Sequence, residues 1–254
     1  MEFSRSLHYA LQPLECRIFL SANHYSFATL FHYDRPGSTW IYDRQYNNVE
    51  TQVSGVESLK VNVEAKQVLL DGRLSHLVTE TSKTLGASSA SYAIDSTGVF
   101  MTATDQRAHT SVQLHDLRLA PKLMDFGVTY SNTGTFNGTI TLNNNGTTVK
   151  AAISGKAFDA IRLVDRETVA VPAGTFATVM GKYSSKFTGT ITFTIDGKIT
   201  TEPLTIEHDE TFWASPSVGE VQTVEQNITT IKTSTQTEQS NHAVILQLKS
   251  DSLT

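Results

Sequence analysis

The stretch VAVPAGTF, residues 169–176, decides what kind of fold the chain adopts. The residues before Pro172 form an apolar, β-branched run that is typical of a half-buried strand. Pro172 ends this run because it lacks an N–H group and has a fixed φ, and Gly174 suits the last position of a tight turn. The stretch therefore predicts a β-hairpin whose return strand covers residues 175–183.

A second turn-rich stretch, TFWASPSVGEV, occupies residues 211–221. Phe212 and Trp213 are aromatic residues of the kind that favour strands, and they come just before the turn. Pro216 and Gly219 then mark the turn itself, because both residues interrupt regular structure. The stretch predicts a second hairpin, with the return strand starting at Val221.

Similar turn signals separate short apolar runs along the rest of the chain. They occur at residues 71–72, 95–98 and 143–146, where Asp, Asn and Gly are concentrated. The segment 110–124 is the best candidate for a helix, but Pro121 would break it, so we predict a buried strand followed by an extended loop. The chain is therefore predicted to be mainly β, with little helix.

The composition argues against several classes of function. The 254 residues are enough to bury a real core, and the low charged fraction of 18% is typical of exported β proteins. The net charge of -5 and the lack of a Lys/Arg run argue against nucleic acid as a partner. No apolar run is long enough for a transmembrane helix, and the single cysteine, Cys16, excludes an intramolecular disulfide.

The domain organisation follows from these patterns. Residues 1–25 have the character of an export or sorting segment, which we expect to be removed or disordered, and residues 26–254 are predicted to form one β-rich domain. A glycine turn followed by an aromatic residue occurs twice, about ninety residues apart, in PGSTWIY and in DFGVTY. This echo suggests two similar half-sheets, at about 30–120 and 121–254.

The N-terminal sequence LECRIFLSA, residues 14–22, resembles the LEPR-XLL motif of planctomycete-type surface proteins. The residues L, E and R and the closing LSA match, whereas Cys16 replaces the proline and Phe19 replaces a leucine. The resemblance implies export, to the periplasm, the cell surface or the extracellular space.

The order of the longer motifs is similar to that of an uncharacterised family of exported bacterial β-rich proteins. PGSTWIY at 36–42, VPAGTF at 171–176 and the stretch at 211–221 carry this resemblance, with Ser217 where the family pattern has glycine. It implies a large curved antiparallel sheet or half-barrel resembling periplasmic lipoprotein carriers. The family offers no catalytic residue and no cofactor, so none is expected here.

The segment 187–195 shows the clearest strand pattern, with threonines on one face and apolar residues on the other. The apolar face could form a concave wall for a lipid-like or other apolar ligand. The side chains that would then contact the ligand are Phe187, Ile191, Phe193, Phe212 and Trp213. Alternatively the apolar face is ordinary core under another layer, and the clean alternation favours this interpretation.

Residues 207–210, Glu-His-Asp-Glu, have the composition of a metal or acid/base site. In a strand, however, Glu207 and Asp209 point to one face while His208 and Glu210 point to the other. A transition metal needs three or four converging ligands, so we favour an exposed polar strand and predict neither a metal ion nor a catalytic residue.

Three functions remain compatible with the sequence. The first is a noncatalytic binder of an apolar or lipid-like molecule, which predicts a large apolar pocket with few polar groups. The second is a cell-surface structural or interaction module that contacts envelope or matrix proteins, which predicts a filled core. The third is a hydrolase with an unrecognised site, which predicts titratable groups that converge in a cleft.

Overall fold

The computed structural model describes residues 24–48, 52–84, 86–106, 110–144, 147–195, 198–232 and 237–253. The N-terminal export-like segment therefore lies almost entirely outside the described residues. One short helix, α1, covers Phe27–Phe31. The strands are β1 (His24–Tyr25), β2 (Thr39–Asn48), β3 (Val53–Leu70), β4 (Arg73–Ser82), β5 (Gly86–Ile94), β6 (Gly98–Gln106), β7 (Thr110–His115), β8 (Arg118–Pro121), β9 (Met124–Asp125), β10 (Thr129–Asn144), β11 (Thr147–Val171), β12 (Gly174–Ile195), β13 (Lys198–Ser215), β14 (Gly219–Lys232) and β15 (Thr237–Ser252).

The main sheet is antiparallel and closes on itself. Among the described residues, twelve strands form a ring in which each strand pairs with the next one along the chain, from β2 to β7 and then from β10 to β15. The ring is completed because β15 pairs with β2, and β5 pairs with β6. The prediction of a mainly β protein with a large curved antiparallel sheet is confirmed.

The two turn-rich stretches form the predicted hairpins. β11 ends at Val171 and β12 begins at Gly174, which has a φ of 143° that few other residues tolerate. β13 ends at Ser215 and β14 begins at Gly219, so the second turn also lies where the sequence places it. The return strand of the first hairpin is longer than predicted and reaches Ile195.

Segment 110–124 is also extended, as the sequence predicts. It forms β7 and then β8, with His115 at the end of the first and Pro121 at the end of the second. β6 pairs with both strands, at its end with β7 and at its start with β8. Pro121 thus ends a short strand, and the segment is not helical, as we expected from the presence of this proline.

Helix α1 packs inside one end of the ring. Ser26 caps it by accepting a 3.0 Å hydrogen bond from the backbone N–H of Thr29, and Phe27, Leu30 and Phe31 are buried. His32 ends the helix in the left-handed conformation and lies 3.0 Å from the carbonyl oxygen of Pro216 through its Nε2 atom. The helix is thereby fixed to the turn between β13 and β14.

The same turn also holds β2 in place. The indole Nε1 of Trp40 donates a 2.6 Å hydrogen bond to the carbonyl of Val218, and the hydroxyl of Tyr42 donates to the carbonyl of Glu220 at 3.1 Å. Trp40 and Tyr42 are almost fully buried. The turn between β13 and β14 thus serves as a docking point for the N-terminal part of the fold.

The alternation along β12 matches the sequence pattern. Thr188, Thr190 and Thr194 are exposed on the outer face, whereas Ile191 is fully buried on the inner face. Two clusters of buried apolar residues fill much of the ring, one around α1 and Phe212 and the other around Trp40.

The sheet is continuous across the boundary that the sequence suggests at residue 121. β7 pairs with β10 on one side of the ring, and β15 pairs with β2 on the other. The proposed half-sheets are therefore two arcs of a single sheet, and their similarity stays a prediction. No helix in the described part of the chain is long and apolar enough to cross a membrane.

Candidate ligand-binding cavity

A cavity of about 350 Å³ lies inside the closed sheet. Residues from α1 and from the inner faces of most of the strands line it. A depression of about 490 Å³ is larger, but it is more open and involves outward-facing charged residues such as Arg162, Lys182 and Asp209. We therefore take the interior cavity as the candidate site, because ligand pockets are usually enclosed and rich in aromatic residues.

Aromatic rings form the end of the cavity next to α1. Phe31 contacts Phe212 edge to face with a centroid distance of 5.0 Å, and it stacks on Phe27 at 4.3 Å. Tyr33 follows the helix and lies 4.8 Å from the ring of Tyr92. All five rings line the cavity, so this end offers a ligand an apolar, aromatic surface.

Tyrosines from different strands converge around the cavity. Tyr33, Tyr42, Tyr92 and Tyr183 line it, and burial raises the pKa of each hydroxyl, to well above its ordinary value of 10.0 for the first three. The carboxyl groups of Glu210 and Glu220 raise the pKa of Tyr33 and Tyr92 further. These hydroxyls therefore stay protonated at every physiological pH and can donate hydrogen bonds.

His208 is held between two acceptors. Its Nδ1 lies 2.7 Å from Oδ1 of Asn227, and its Nε2 lies 3.3 Å from Oε2 of Glu210. Burial alone would lower the pKa of His208, but the hydrogen bond and the charge of Glu210 outweigh it and raise the pKa to about 9. The side chain is therefore an imidazolium that donates from both nitrogens.

Two further carboxyl groups lie beside this pair. Glu225 on β14 is the direct cross-strand neighbour of Glu210 on β13, and burial together with that charge raises its pKa to about 7. Burial and Glu210 also raise the pKa of Glu220, although the Thr223 hydroxyl donates a hydrogen bond to it. Both groups thus carry protons more readily than an exposed glutamate does.

Another charged pair occupies the inner face nearby. Arg44 on β2 and Glu57 on β3 are cross-strand neighbours, and an Nη1–Oε1 distance of 2.9 Å joins them. Both side chains are buried, and the guanidinium also lies 4.9 Å from the ring centre of Tyr46. Arg44 is therefore already neutralised by its own partner.

The ligand-binding candidates that the sequence suggests lie in three different environments: the cavity, the apolar core and the outer face. Phe187 and Phe212 line the cavity. Ile191 is fully buried in the apolar core, and Phe193 packs against the same core. Trp213 lies on the outer face, where its indole donates a 2.5 Å hydrogen bond to Glu167, so it does not reach the cavity.

The Glu-His-Asp-Glu segment splits between the two faces as the alternation predicts. Glu207 forms an outer ion pair with Lys186, at 2.6 Å, whereas His208 and Glu210 line the cavity. The interpretation as an exposed polar strand is thus wrong for these two residues. The missed signal is that they share a face with Ile206 and Phe212, both of which are apolar.

Glu80, Glu220 and Glu225 also line the cavity, and sequence reasoning did not single them out. They come from β4 and β14, so only the closed sheet brings them near His208. In the described part of the chain, no group of three or more His, Cys, Asp or Glu side chains is arranged to hold a metal ion.

Comparisons with known proteins add little about function. A scan against models of protein families finds no match, and a search of curated proteins finds none. Similar solved structures include a candidate exported protein with a YmcC-like fold from Bacteroides fragilis, with 14% identity and a TM-score of 0.38, covering 86% of this chain and 96% of that one. They also include a candidate lipoprotein from Parabacteroides distasonis, with 12% identity and a TM-score of 0.30, covering 85% of this chain and 95% of that one. At these scores neither likeness supports a conclusion about what this chain binds.

Proposed function

We propose that the protein is an exported, noncatalytic binding protein that holds an apolar or lipid-like molecule inside its closed sheet. The observation that carries this proposal is the interior cavity of about 350 Å³, which α1, Phe31, Phe187 and Phe212 line. Apolar surface that leaves water on entering such a cavity stabilises a complex by ~25 cal/mol per Å². The proposal of export is supported by the LEPR-XLL-like sequence and by the low content of charged residues.

An interaction module without a small ligand fits the interior less well. Such a module would gain stability from a filled core, because an interior void loses the contacts that its lining atoms could make. Buried apolar residues of both clusters line the cavity, so it adjoins parts of the same interior that apolar side chains occupy. A cavity of this size inside the ring therefore favours a binding role.

A hydrolase is the second candidate, and one observation favours it. Glu210 and Glu225 lie directly opposite each other, and the pKa of Glu225 is raised to about 7, as expected for a general acid. However, His208 is occupied by two acceptors and is charged, so it cannot accept a proton from a nucleophile. The binding role therefore ranks first.

The binding proposal is tested with a neutral fluorescent probe, N-phenyl-1-naphthylamine. Native protein is expected to give saturable fluorescence enhancement at one site per chain. The substitution Ala90→Phe places a ring in the cavity, because Ala90 lines it, and should lower the affinity by more than about tenfold.

The matched control is Ala152→Phe, which adds the same ring on the exposed outer face of β11. This variant should bind the probe as the native protein does, and the melting temperature of each variant checks its folding. Saturable binding that Ala90→Phe leaves unchanged, or no binding to native protein, would overturn the proposal.

A further inference from the structure

Among the side chains that line the cavity, acidic ones outnumber basic ones. The carboxyl groups of Glu80, Glu210, Glu220 and Glu225 line it, and His208 is the cationic side chain among them. No lysine or arginine occurs among the described residues that line the cavity. Arg44 is close by on the inner face but is engaged by Glu57. The described lining of the cavity therefore contains four carboxyl groups and one imidazolium.

The protein compensates the carboxyl group of Glu225 only in part, through the charges of His208 and Arg44, which favour its ionised form but do not outweigh burial and Glu210. Glu225 faces Glu210 directly across the β13–β14 pair, and like charges in this position destabilise a sheet. No hydrogen bond to its carboxyl group forms within the described segments, although the side chain is largely buried inside the ring. Natural sequences retain such locally unfavourable arrangements chiefly at functional sites, where a ligand supplies the missing partner.

Aromatic rings surround the same carboxyl groups. The rings of Tyr33 and Tyr92 lie tilted against each other near Glu210 and Glu220, and the ring centre of Tyr183 lies 5.8 Å from that of His208. The faces of such rings carry partial negative charge and attract cations that have lost part of their hydration. Carboxylates and aromatic faces together form the usual environment of a bound ammonium group.

We infer that the cavity binds an apolar molecule that carries a cationic amine, with Glu210 and Glu225 facing the ammonium group and the aromatic end holding the apolar part. This inference rests on the proposed binding function and specifies its ligand class. The carboxyl groups of Glu220 and Glu80 line the same cavity. The phenylalanines around α1 provide the contact for the apolar part.

Three probes that share a ten-carbon chain test the inference by isothermal titration calorimetry, below their micelle concentrations. They are decyltrimethylammonium, 1-decanol and decanoate. Decyltrimethylammonium should bind more than about tenfold more tightly than 1-decanol, because its cationic head is attracted to the carboxylates and to the aromatic faces, whereas the hydroxyl group is not. Decanoate should bind more weakly than both.

The substitutions Glu210→Gln and Glu225→Gln should each reduce the preference for decyltrimethylammonium over 1-decanol by about tenfold, while 1-decanol binding persists. Glu207→Gln is the matched control, since Glu207 lies on the same strand but points outward to Lys186. It should leave the preference unchanged. Equal binding of the three probes, or a preference that both inner variants retain, would overturn this inference while leaving the binding proposal intact. If none of the probes binds, the binding proposal itself fails.

Discussion

Asp159 is a buried carboxylic acid on the inner face of the ring. It is fully buried on β11 between Asn132 and Ser185 of the adjacent strands, and neither of its carboxyl oxygens has a hydrogen-bond partner of good geometry among the described residues. Burial raises its pKa from 3.8 to about 7, and the nearby backbone amides and Arg118 offset only part of that effect. The ionised form is therefore unfavourable in the folded protein by on the order of 4 kcal/mol.

This residue makes the stability depend on pH in a defined direction. Between pH 4 and 7 the folded protein keeps a proton on Asp159 that the unfolded chain has released, so the free energy of unfolding falls as the pH rises through this window. The substitution Asp159→Asn removes this titration. The variant should have a melting temperature only slightly above the native one at pH 4, where the unfolded native chain still holds part of the proton, and one several degrees higher at pH 8.

The difference in melting temperature between the variant and the native protein reports on Asp159, because Glu225 and His208 titrate in both proteins. Asp209→Asn, on the exposed outer face of β13, is the control and should leave the melting temperature unchanged at both pH values. A constant difference across this range would show that Asp159 does not change protonation there.

At the scale of the elements, a glycine determines how β12 and β13 pack around the helix end of the ring. Gly181 is the direct partner of Phe212, and a Cβ atom at this position would lie 2.2 Å from Cζ of the ring. Phe212 cannot easily move, because it is fully buried and contacts Phe31 of α1. The glycine thus makes room for the aromatic contact that closes the cavity.

Gly181→Ala should lower the free energy of unfolding by about 1–3 kcal/mol, because the core at this point is already filled. The substitution Phe212→Leu should lower the free energy of unfolding by less in the Gly181→Ala variant than in the native protein, since the smaller side chain relieves the clash. Urea denaturation of the four proteins measures this coupling. Lys182→Ala, on the exposed outer face, is the control, and additive effects of the two inner substitutions would contradict the argument.

Local patterns predicted the elements but only part of the site, namely Phe187 and Phe212. Pro172, Gly174 and the alternation of 187–195 act through near neighbours, so the hairpins and the faces of β12 could be inferred from the sequence. The inward position of Glu220 depends on a register shift after Trp213, and that shift is set by the packing of distant strands. For the same reason the meeting of Glu80 with Glu225 was not predictable.

At the scale of the molecule, the two arcs of the ring share their core as well as their strand pairs. Phe176 and Val218 from the second arc pack against the cluster around Trp40 and Tyr42 from the first. Neither arc can therefore unfold without exposing apolar surface of the other. Domains that share a core in this way usually unfold as one unit.

Scanning calorimetry should accordingly show one unfolding transition, with calorimetric and van't Hoff enthalpies that agree. Trp40→Ala, at the seam between the arcs, should shift the whole transition to lower temperature rather than split it, because Trp40 is buried in the shared core. Two separate transitions in the native protein would instead indicate that segments 30–120 and 121–254 are independent half-sheets.

The pairing of β15 with β2 also affects how the nascent chain folds during translation. Lys249 and Asp43 are 206 residues apart in sequence, yet their side chains lie 3.0 Å apart across this seam. While the ribosome is still translating the segments between them, β2 has no partner on one side, and a growing strand edge is a template for pairing with other chains. Crowded nascent chains thus face their greatest risk of aggregation before the ring closes, and slow long-range closure prolongs it.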